Sequence, residues 1–162
     1  MSVIRLSNMN IHTQGYIWSP EDYQLKQTIE YIASIPPSST HFHKWNSYIT
    51  TWNNTLYIHP GYRWNGCTLV SSGKALPYTH TAYNIAKPIH GKKIHQLWYA
   101  SLIHDAQYDI IRIAAQNGIQ PPWTRRQADR IFLTLALQSG VSPVRAIIYY
   151  GGLYIWTSLS NN

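Results

Sequence analysis

A histidine and two aspartates lie close together in one segment of the chain, Ile103-His104-Asp105-Ala106-Gln107-Tyr108-Asp109. The sequence of 162 residues has only six acidic residues, so two of them within five positions point to a role for this segment. A histidine beside a carboxylate can act as a general base, because its pKa lies near neutrality. The carboxylate can also bind a hard cation that polarises a carbonyl or phosphoryl oxygen.

Helical spacing decides which of these side chains can act together. On a helix, His104 and Tyr108 share one face, and Asp105 and Asp109 share the neighbouring face. Arg112 continues the second row, so a surface ion network beside a packed, half-buried His104 is the alternative to an active site. For an isolated His-Asp pair on a helix, this structural alternative is favoured.

A further carboxylate follows in the segment Arg125–Phe132, where Asp129 adjoins the apolar face of the next predicted helix. If the two helices form a tight hairpin that turns near residue 121, Asp129 lies opposite Arg112, about 12 Å along the axis from His104. An extended connector can close that distance. The sequence therefore permits either an Asp129–His104 contact or an Asp129–Arg112 ion pair, and the active-site and structural interpretations are equally supported.

The order of these motifs resembles the catalytic core of phospholipase A2 domains, most closely the disulfide-free domain that parvoviruses carry in their capsid protein. The likeness rests on an HDxxY segment, a connector with glycine and proline, and an Ala-Asp pair: His104–Tyr108, Gly118, Pro121-Pro122 and Ala128-Asp129. The resemblance implies that His104 activates a water and that Asp105 binds calcium. It also implies that Tyr108 and Asp129 orient the His104 ring by hydrogen bonds.

A second resemblance covers more of the chain, roughly residues 55–157. An uncharacterised family of tailed phages and prophages carries a G-F-x-x-D-G-A-S-x-P segment, then HDxxY, then Ala-Asp, then an aromatic-rich helix with glycine. The matching stretches are Gly61–Thr68, His104–Tyr108, Ala128-Asp129 and Gly151-Gly152. Asn65 stands where that pattern has aspartate, and its amide oxygen can still bind calcium. Asn65 therefore joins Asp105 as a candidate ligand, although the sequence lacks the glycine-rich loop that phospholipases place shortly before the histidine.

The chain is basic but poor in charge. Its net charge is +7, and charged residues make up 12% of the sequence, about half of ordinary usage. A basic balance favours contact with nucleic acid, anionic lipid or acidic protein, but no nucleic-acid-binding motif accompanies it. A weakly charged surface rich in Tyr, Trp and Asn suits a subunit packed against other proteins, such as those of a virion.

Two features bear on location and membranes. The N-terminus has no apolar stretch of the signal-peptide type, so we expect the host cytoplasm or the virion. The longest apolar run, Ala146–Trp156, is too short to span a bilayer. It could lie on a membrane surface, but we interpret it as a buried core helix.

Patterning in the N-terminal half predicts a helix followed by strands. Ser19-Pro20 and the two acids after it begin a predicted helix over about 20–34. Aromatic and β-branched residues between 41 and 69 predict two strands, joined by a turn at Asn53-Asn54 into a hairpin. Residues 70–93, rich in Gly, Ser, Pro and His, predict a long ordered loop.

The C-terminal half predicts three helices, which end or begin at recognisable capping residues. The first covers about 95–117 and ends at Gly118, the second follows the capping residue Thr124 and ends at Gly140, and the third runs from Ser142-Pro143 to about Leu159. The expected fold is α+β, a small antiparallel hairpin or sheet packed on a mainly helical bundle. We expect one domain over 1–162, in which 1–94 holds the helix, strands and loop and 95–160 holds the HDxxY and Ala-Asp motifs.

Other residues that could do chemistry have weaker patterns around them. His41 and His43 would share a strand face, but no carboxylate adjoins them, so a solvent-facing pair is expected. Cys67 is the only cysteine, which excludes an intrachain disulfide and a cysteine-based zinc site and favours a small core residue over a nucleophile. Three histidines could line a pocket over the site or lie on the surface, as loop histidines usually do: His80, His90 and His95.

The sequence supports three functions from different classes. The first is a phage- or virus-type hydrolase of a lipid or envelope ester, with three catalytic residues and a divalent cation bound at Asp105 and Asn65. Its catalytic residues would be His104, Tyr108 and Asp129, gathered around a solvent-reachable pocket. The second is a non-catalytic virion or assembly protein that retains the fold. The third, less supported, is a basic nucleic-acid-binding protein.

Overall fold

The chain forms two compact units in the computed structural model, which describes residues 23–24, 28–32, 41–64, 70–71, 74–75 and 94–159. Unit 1 is drawn from residues 1–64 and 106–124, and unit 2 from residues 65–105 and 125–162. Strands lie in the N-terminal half and helices in the C-terminal half. The predicted α+β class is therefore confirmed, whereas the single-domain interpretation stays a prediction.

The main sheet of unit 1 has four antiparallel strands in the order β2-β5-β4-β3. Ile49, Leu56 and Ile58 are fully buried, because alternate side chains of paired strands point to the same face. These apolar side chains are the core of the sheet. The strands are β2 (Ile29–Ile32), β3 (His43–Lys44), β4 (Ile49–Trp52) and β5 (Thr55–Ile58).

The turn between β4 and β5 confirms the predicted hairpin. Asn53 and Asn54 both have positive φ angles, 45° and 62°. Two such residues in succession form the type of turn that matches the twist of antiparallel strands, and asparagine tolerates this conformation better than most residues.

The predicted helix over 20–34 is wrong wherever the structure describes this segment. Residues Tyr23–Gln24 form strand β1, and β2 follows at Ile29–Ile32. Ile29 and Tyr31 are buried whereas Ile32 is 47% exposed, so burial repeats every second residue. Pairing of β2 with β5, in which Ile29 lies opposite Ile58, decides the conformation over the local helical pattern.

Short strand pairs complete the β structure. Strand β1 pairs with β6 (Arg63–Trp64), and β7 (Val70–Ser71) pairs with β8 (Lys74–Ala75). Strands β7 and β8 occupy the start of the predicted long loop. The remainder of that loop, residues 72–73 and 76–93, lies outside the described residues.

Three helices follow, at nearly the predicted bounds: α1 (Ile94–Gln116), α2 (Arg125–Gln138) and α3 (Pro143–Leu159). The predicted glycine caps are confirmed, since Gly118 and Gly140 have φ angles of 65° and 82°. The N–H of Ile119 donates to the carbonyl of Ala114, and the N–H of Val141 donates to that of Ala136. Each bond satisfies a carbonyl that the end of the helix leaves without an intrahelical partner.

Helices α2 and α3 pack together in unit 2. Phe132 and Leu135 of α2 are buried, as is Ala146 of α3. On α3, however, Ile147 and Ile148 are 60% and 63% exposed, so the expectation of a buried core helix is wrong for this face. Within the described part of the chain, no helix is long and apolar enough to cross a membrane.

Two glycines of unit 1 give a matched test of backbone conformation. Gly61 and Gly118 both have positive φ, but a Cβ at Gly61 would lie 2.7 Å from Cε1 of Tyr48, and one at Gly118 would meet nothing within 4 Å. We expect Gly118→Ala to lower the free energy of unfolding by about 1 kcal/mol. Gly61→Ala should lower it further, because the Tyr48 ring must also move. Urea unfolding measures both, and an equal or smaller loss at Gly61 would contradict the expected clash.

Candidate functional site

A buried histidine–aspartate pair joins helices α1 and α2 in unit 2. Nε2 of His104 lies 2.9 Å from Oδ1 of Asp129, a distance typical of a hydrogen bond to a charged group. The two residues are 5% and 1% exposed. Of the two contacts that the sequence permitted for Asp129, the structure shows the one with His104.

An aromatic side chain packs against the histidine ring. Phe132, three residues after Asp129 on α2, meets the His104 ring edge-on, with ring centroids 5.5 Å apart and an interplanar angle of 67°. Phe132 is 2% exposed. Its apolar ring lies against the imidazole in an edge-to-face contact.

The second ring nitrogen faces another carboxylate. Nδ1 of His104 lies 3.6 Å from Oδ1 of Asp105, a longer contact than the one that Nε2 makes with Asp129. The Asp105 side chain is 26% exposed, against 6% for that of His104. The imidazole therefore has a buried carboxylate at Nε2 and a partly solvated one near Nδ1.

These surroundings raise the pKa of His104. Burial by itself would lower that pKa, because the imidazolium loses hydration. The carboxylates of Asp105 and Asp129 act in the opposite direction through hydrogen bonding and charge, and together they outweigh burial. The imidazolium form of His104 therefore persists to a higher pH than in an ordinary histidine.

The bond to Asp129 also determines which ring nitrogen can accept a proton. An ionised carboxylate only accepts hydrogen bonds, so Nε2 of His104 must carry the proton that Asp129 accepts. In the neutral ring the lone pair is then on Nδ1, the nitrogen on the Asp105 side. A base held in one tautomer by a neighbouring carboxylate is the arrangement that general-base catalysis requires.

A separate polar cluster lies in unit 1 and includes a residue that the sequence analysis missed. Tyr62 donates its hydroxyl to Oδ2 of Asp109 at 3.0 Å, and Arg112 donates to Oδ1 of Asp109 at 2.8 Å. The Asp109–Arg112 pair was expected from helical spacing, but Tyr62 is distant in sequence. A signal was available, because Tyr62 belongs to the Gly61–Thr68 motif.

Gln107 is a second residue that the sequence analysis did not single out. It is fully buried within unit 1. In the part of the chain that the structure describes, neither the nitrogen nor the oxygen of its side-chain amide has a hydrogen-bond partner. A buried amide in this state costs stability, about 1–3 kcal/mol per unsatisfied group.

For two other predicted site residues, Tyr108 and Asn65, the role stays a prediction. Tyr108 is half-buried on α1, four residues after His104. Its role in orienting His104 stays a prediction. Asn65 lies outside the described residues, so its role as a calcium ligand also stays a prediction.

The residues that the structure describes form no metal site. Among them, no three His, Cys, Asp or Glu side chains form a group that could hold a metal ion. Asp105 is the one described member of the predicted cation pair, and calcium at this position stays a prediction.

The other candidate histidines take no part in this site as far as the structure describes them. His41 is exposed. His43 is half-buried and stacks on Trp45 with ring centroids 4.0 Å apart, so the pair does not form the solvent-facing arrangement expected for both members. The backbone of His95 lies in α1. Three further candidates lie outside the described residues: Cys67, His80 and His90.

Comparison with known proteins gives a match to a protein family. Residues 81–153 match a family model described as "Protein of unknown function (DUF1353)". No curated protein and no solved structure matches the chain. The matched segment includes the HDxxY and Ala-Asp motifs, so the chain is similar to this family over the part that carries the His104–Asp129 pair. The description of the family names no activity.

Titration of His104 tests the electrostatics of the pair. We expect NMR to give a His104 pKa above about 6.5, the ordinary value. Asp129→Asn should lower that pKa, because an amide keeps an acceptor oxygen but has no charge. Asp109→Asn is the matched control on α1 and should leave the pKa of His104 nearly unchanged. An unchanged pKa in Asp129→Asn would contradict the assignment.

The same pair should make stability depend on pH. A raised folded-state pKa contributes stability that is complete below the unfolded-state pKa and is lost as pH rises through the folded-state pKa. The difference in unfolding free energy between wild type and Asp129→Asn should therefore shrink across that window. Urea unfolding at a series of pH values measures it.

The Tyr62 hydroxyl gives a second stability test. Tyr62→Phe removes one hydrogen bond to a charged group and leaves the ring in place, so we expect a loss of about 1–2 kcal/mol in unfolding free energy. Tyr57→Phe, in the half-buried part of β5, is the matched control and should cost little. Equal effects of the two substitutions would show that the Tyr62–Asp109 bond does not stabilise unit 1.

Proposed function

We propose that the chain is an ester hydrolase of the phospholipase A2 type, in which His104 is the general base and Asp129 orients it. The observation that carries the proposal is the 2.9 Å contact between Nε2 of His104 and Asp129. It places the lone pair of the neutral ring on Nδ1, towards the partly exposed Asp105. The resemblance in motif order supplies the reaction class.

The chemistry assigned to these residues is hydrolysis of an ester by an activated water. Nδ1 of His104 takes a proton from the water while the water oxygen attacks the ester carbonyl carbon. The imidazolium is stabilised by Asp129, and it returns the proton to the alcohol oxygen as the carbon–oxygen bond breaks. A positioned general base of this kind contributes about 10²- to 10⁴-fold in rate.

A cation is not assigned a step in this proposal. Calcium takes about six to eight oxygen ligands. Among the described residues no three His, Cys, Asp or Glu side chains form a group that could hold a metal ion, so these residues do not fit a calcium site by themselves. A bound cation would polarise the ester carbonyl. The activity test below is made with and without calcium, and Asp105 and Asn65 are the residues proposed to hold the ion.

The biological setting is part of the proposal and rests on motif order. The arrangement of the Gly61–Thr68, HDxxY and Ala-Asp motifs resembles an uncharacterised family of tailed phages and prophages. It supports a phage- or virus-type protein that acts in the host cytoplasm or from the virion on an ester of phospholipid or cell envelope.

Fatty-acid release from mixed phospholipid vesicles tests the activity, with calcium and with chelator. We expect release by the wild type and a loss of about 100-fold or more in His104→Gln, since glutamine can still donate to Asp129 but cannot act as a base. His43→Gln, a half-buried histidine of unit 1, is the matched control and should retain full activity. Both variants must first show the melting temperature of the wild type.

Three outcomes bear on the proposal in different ways. Release that persists in His104→Gln would contradict the assignment of the base. No release from a folded wild type would contradict the phospholipid substrate. Where release occurs, its rate should rise with pH through the raised pKa of His104, because only the neutral ring accepts a proton.

A second candidate function is a non-catalytic virion or assembly protein. The observation that favours it is the burial of both members of the pair, which suits an ionic bond between α1 and α2 as well as a catalytic base. Stable copies of the chain in purified particles, together with inactivity, would support this function. The nucleic-acid alternative rests on the net charge of +7 and requires DNA binding that weakens steeply with salt.

A further inference from the structure

Helix α3 carries an apolar face that is exposed among the residues that the structure describes. Four large side chains on this face are exposed by 46–70% in the part of the chain that the structure describes. Their spacing places them on one side of the helix. We call this surface the α3 stripe: Val144, Ile147, Ile148 and Tyr154.

The opposite face of α3 attaches the helix to unit 2. Ala146 is fully buried, and α3 packs along α2. Gly151 lies between Ile148 and Tyr154, and a Cβ at this position would meet nothing within 4 Å. Packing among the described residues of the unit therefore explains neither the α3 stripe nor its glycine. An exposed apolar surface of this kind commonly marks a contact site.

The charge of unit 2 indicates what kind of surface can cover the α3 stripe. This unit contains eight Lys and Arg residues and two Asp residues, which gives +6 of the net charge of +7. One of the aspartates is Asp129, buried against His104. Arg126, Arg130 and Arg145 are exposed on α2 and α3.

We propose that unit 2 binds an anionic phospholipid surface, with α3 lying in the plane of the interface. An amphipathic helix with an apolar side and basic surroundings binds in this way through apolar burial and attraction to anionic lipid. A second copy of the chain is a poorer occupant, because two units of charge +6 repel each other. Helix α3 is not long and apolar enough to cross the bilayer.

This inference deepens the proposed function. It rests on that function because the proposed substrate class is phospholipid. It adds the surface by which the chain would reach that substrate and the sign of the lipid charge. Docking itself does not require His104, so binding and hydrolysis can be measured separately.

Co-sedimentation of the full chain with vesicles tests the inference. We expect binding to vesicles of phosphatidylcholine and phosphatidylglycerol in equal parts, weaker binding to phosphatidylcholine alone, and release at high salt. The double variant Ile147→Gln with Ile148→Gln should bind the vesicles at least about tenfold more weakly, because two apolar side chains no longer enter the interface. Phe42→Gln, which changes an equally exposed apolar residue of unit 1, is the matched control and should bind like the wild type.

Further variants separate charge from apolar burial. Arg145→Gln should weaken binding to the anionic vesicles and reduce its salt dependence, whereas Lys44→Gln, at an exposed site of unit 1, should not. Equal binding to both vesicle types would overturn the anionic preference. Binding unaffected by the double variant at an unchanged melting temperature would overturn the role of the α3 stripe.

Two more measurements separate this inference from its alternatives. A wild type that self-associates in sedimentation, ignores vesicles and becomes monomeric in the double variant would assign the α3 stripe to a second copy and overturn the inference. His104→Gln should bind vesicles like the wild type while losing hydrolysis. A wild type that does not bind vesicles but hydrolyses a soluble short-chain ester would refute the inference alone, and a wild type that binds vesicles without any hydrolysis would refute the proposed function alone.

Discussion

The hydrogen bond between His104 and Asp129 is the interaction on which the candidate site depends. Both side chains are almost fully buried, and a buried charge is strongly destabilising without a partner. Each residue therefore lowers the free-energy cost of burying the other, and the pair holds α1 against α2. The same bond fixes the ring tautomer and contributes to the raised pKa of His104, so the structural and chemical roles of the pair have one physical origin.

Acidic residues are scarce in this sequence, so the few that form internal pairs are a large share of its negative charge. Three of the six acids in the sequence lie in these two clusters, Asp105 and Asp129 around His104 and Asp109 between Tyr62 and Arg112. Carboxylates engaged in internal pairs do little to offset the basic residues on the surface. The strongly positive charge of unit 2 follows from its composition, eight Lys and Arg residues against two aspartates.

Unit 2 combines this buried ionic pair with an apolar surface on α3. The ionic pair uses the buried face of a helix, whereas the apolar surface uses an exposed one. Helix α2 presents Asp129 and Phe132 on its buried face, and α3 uses a narrow face around Ala146 for packing while its other side stays exposed. A helix that needs only one face for stability can carry binding residues on the other without loss of the fold.

The sequence by itself determined the features that depend on neighbouring residues. The bounds of α1, α2 and α3 follow from apolar periodicity and from the glycines that end the first two, and the Asn53-Asn54 turn follows from the conformations that asparagine tolerates. The Asp109–Arg112 pair follows from spacing on one helix. These interactions span only a few residues, so local propensity and helical geometry specify them.

The tertiary structure decided whatever depends on distant partners. Residues 29–32 form a strand because Ile29 pairs opposite Ile58, although their local pattern fits a helix. Asp129 meets His104, and Tyr62 meets Asp109, through contacts that span 25 and 47 residues. The sequence showed that α3 is apolar, but only packing against α2 settled which of its faces is buried. Local sequence limits the conformation of each segment, and the free energy of long-range pairing and burial selects among the conformations that remain.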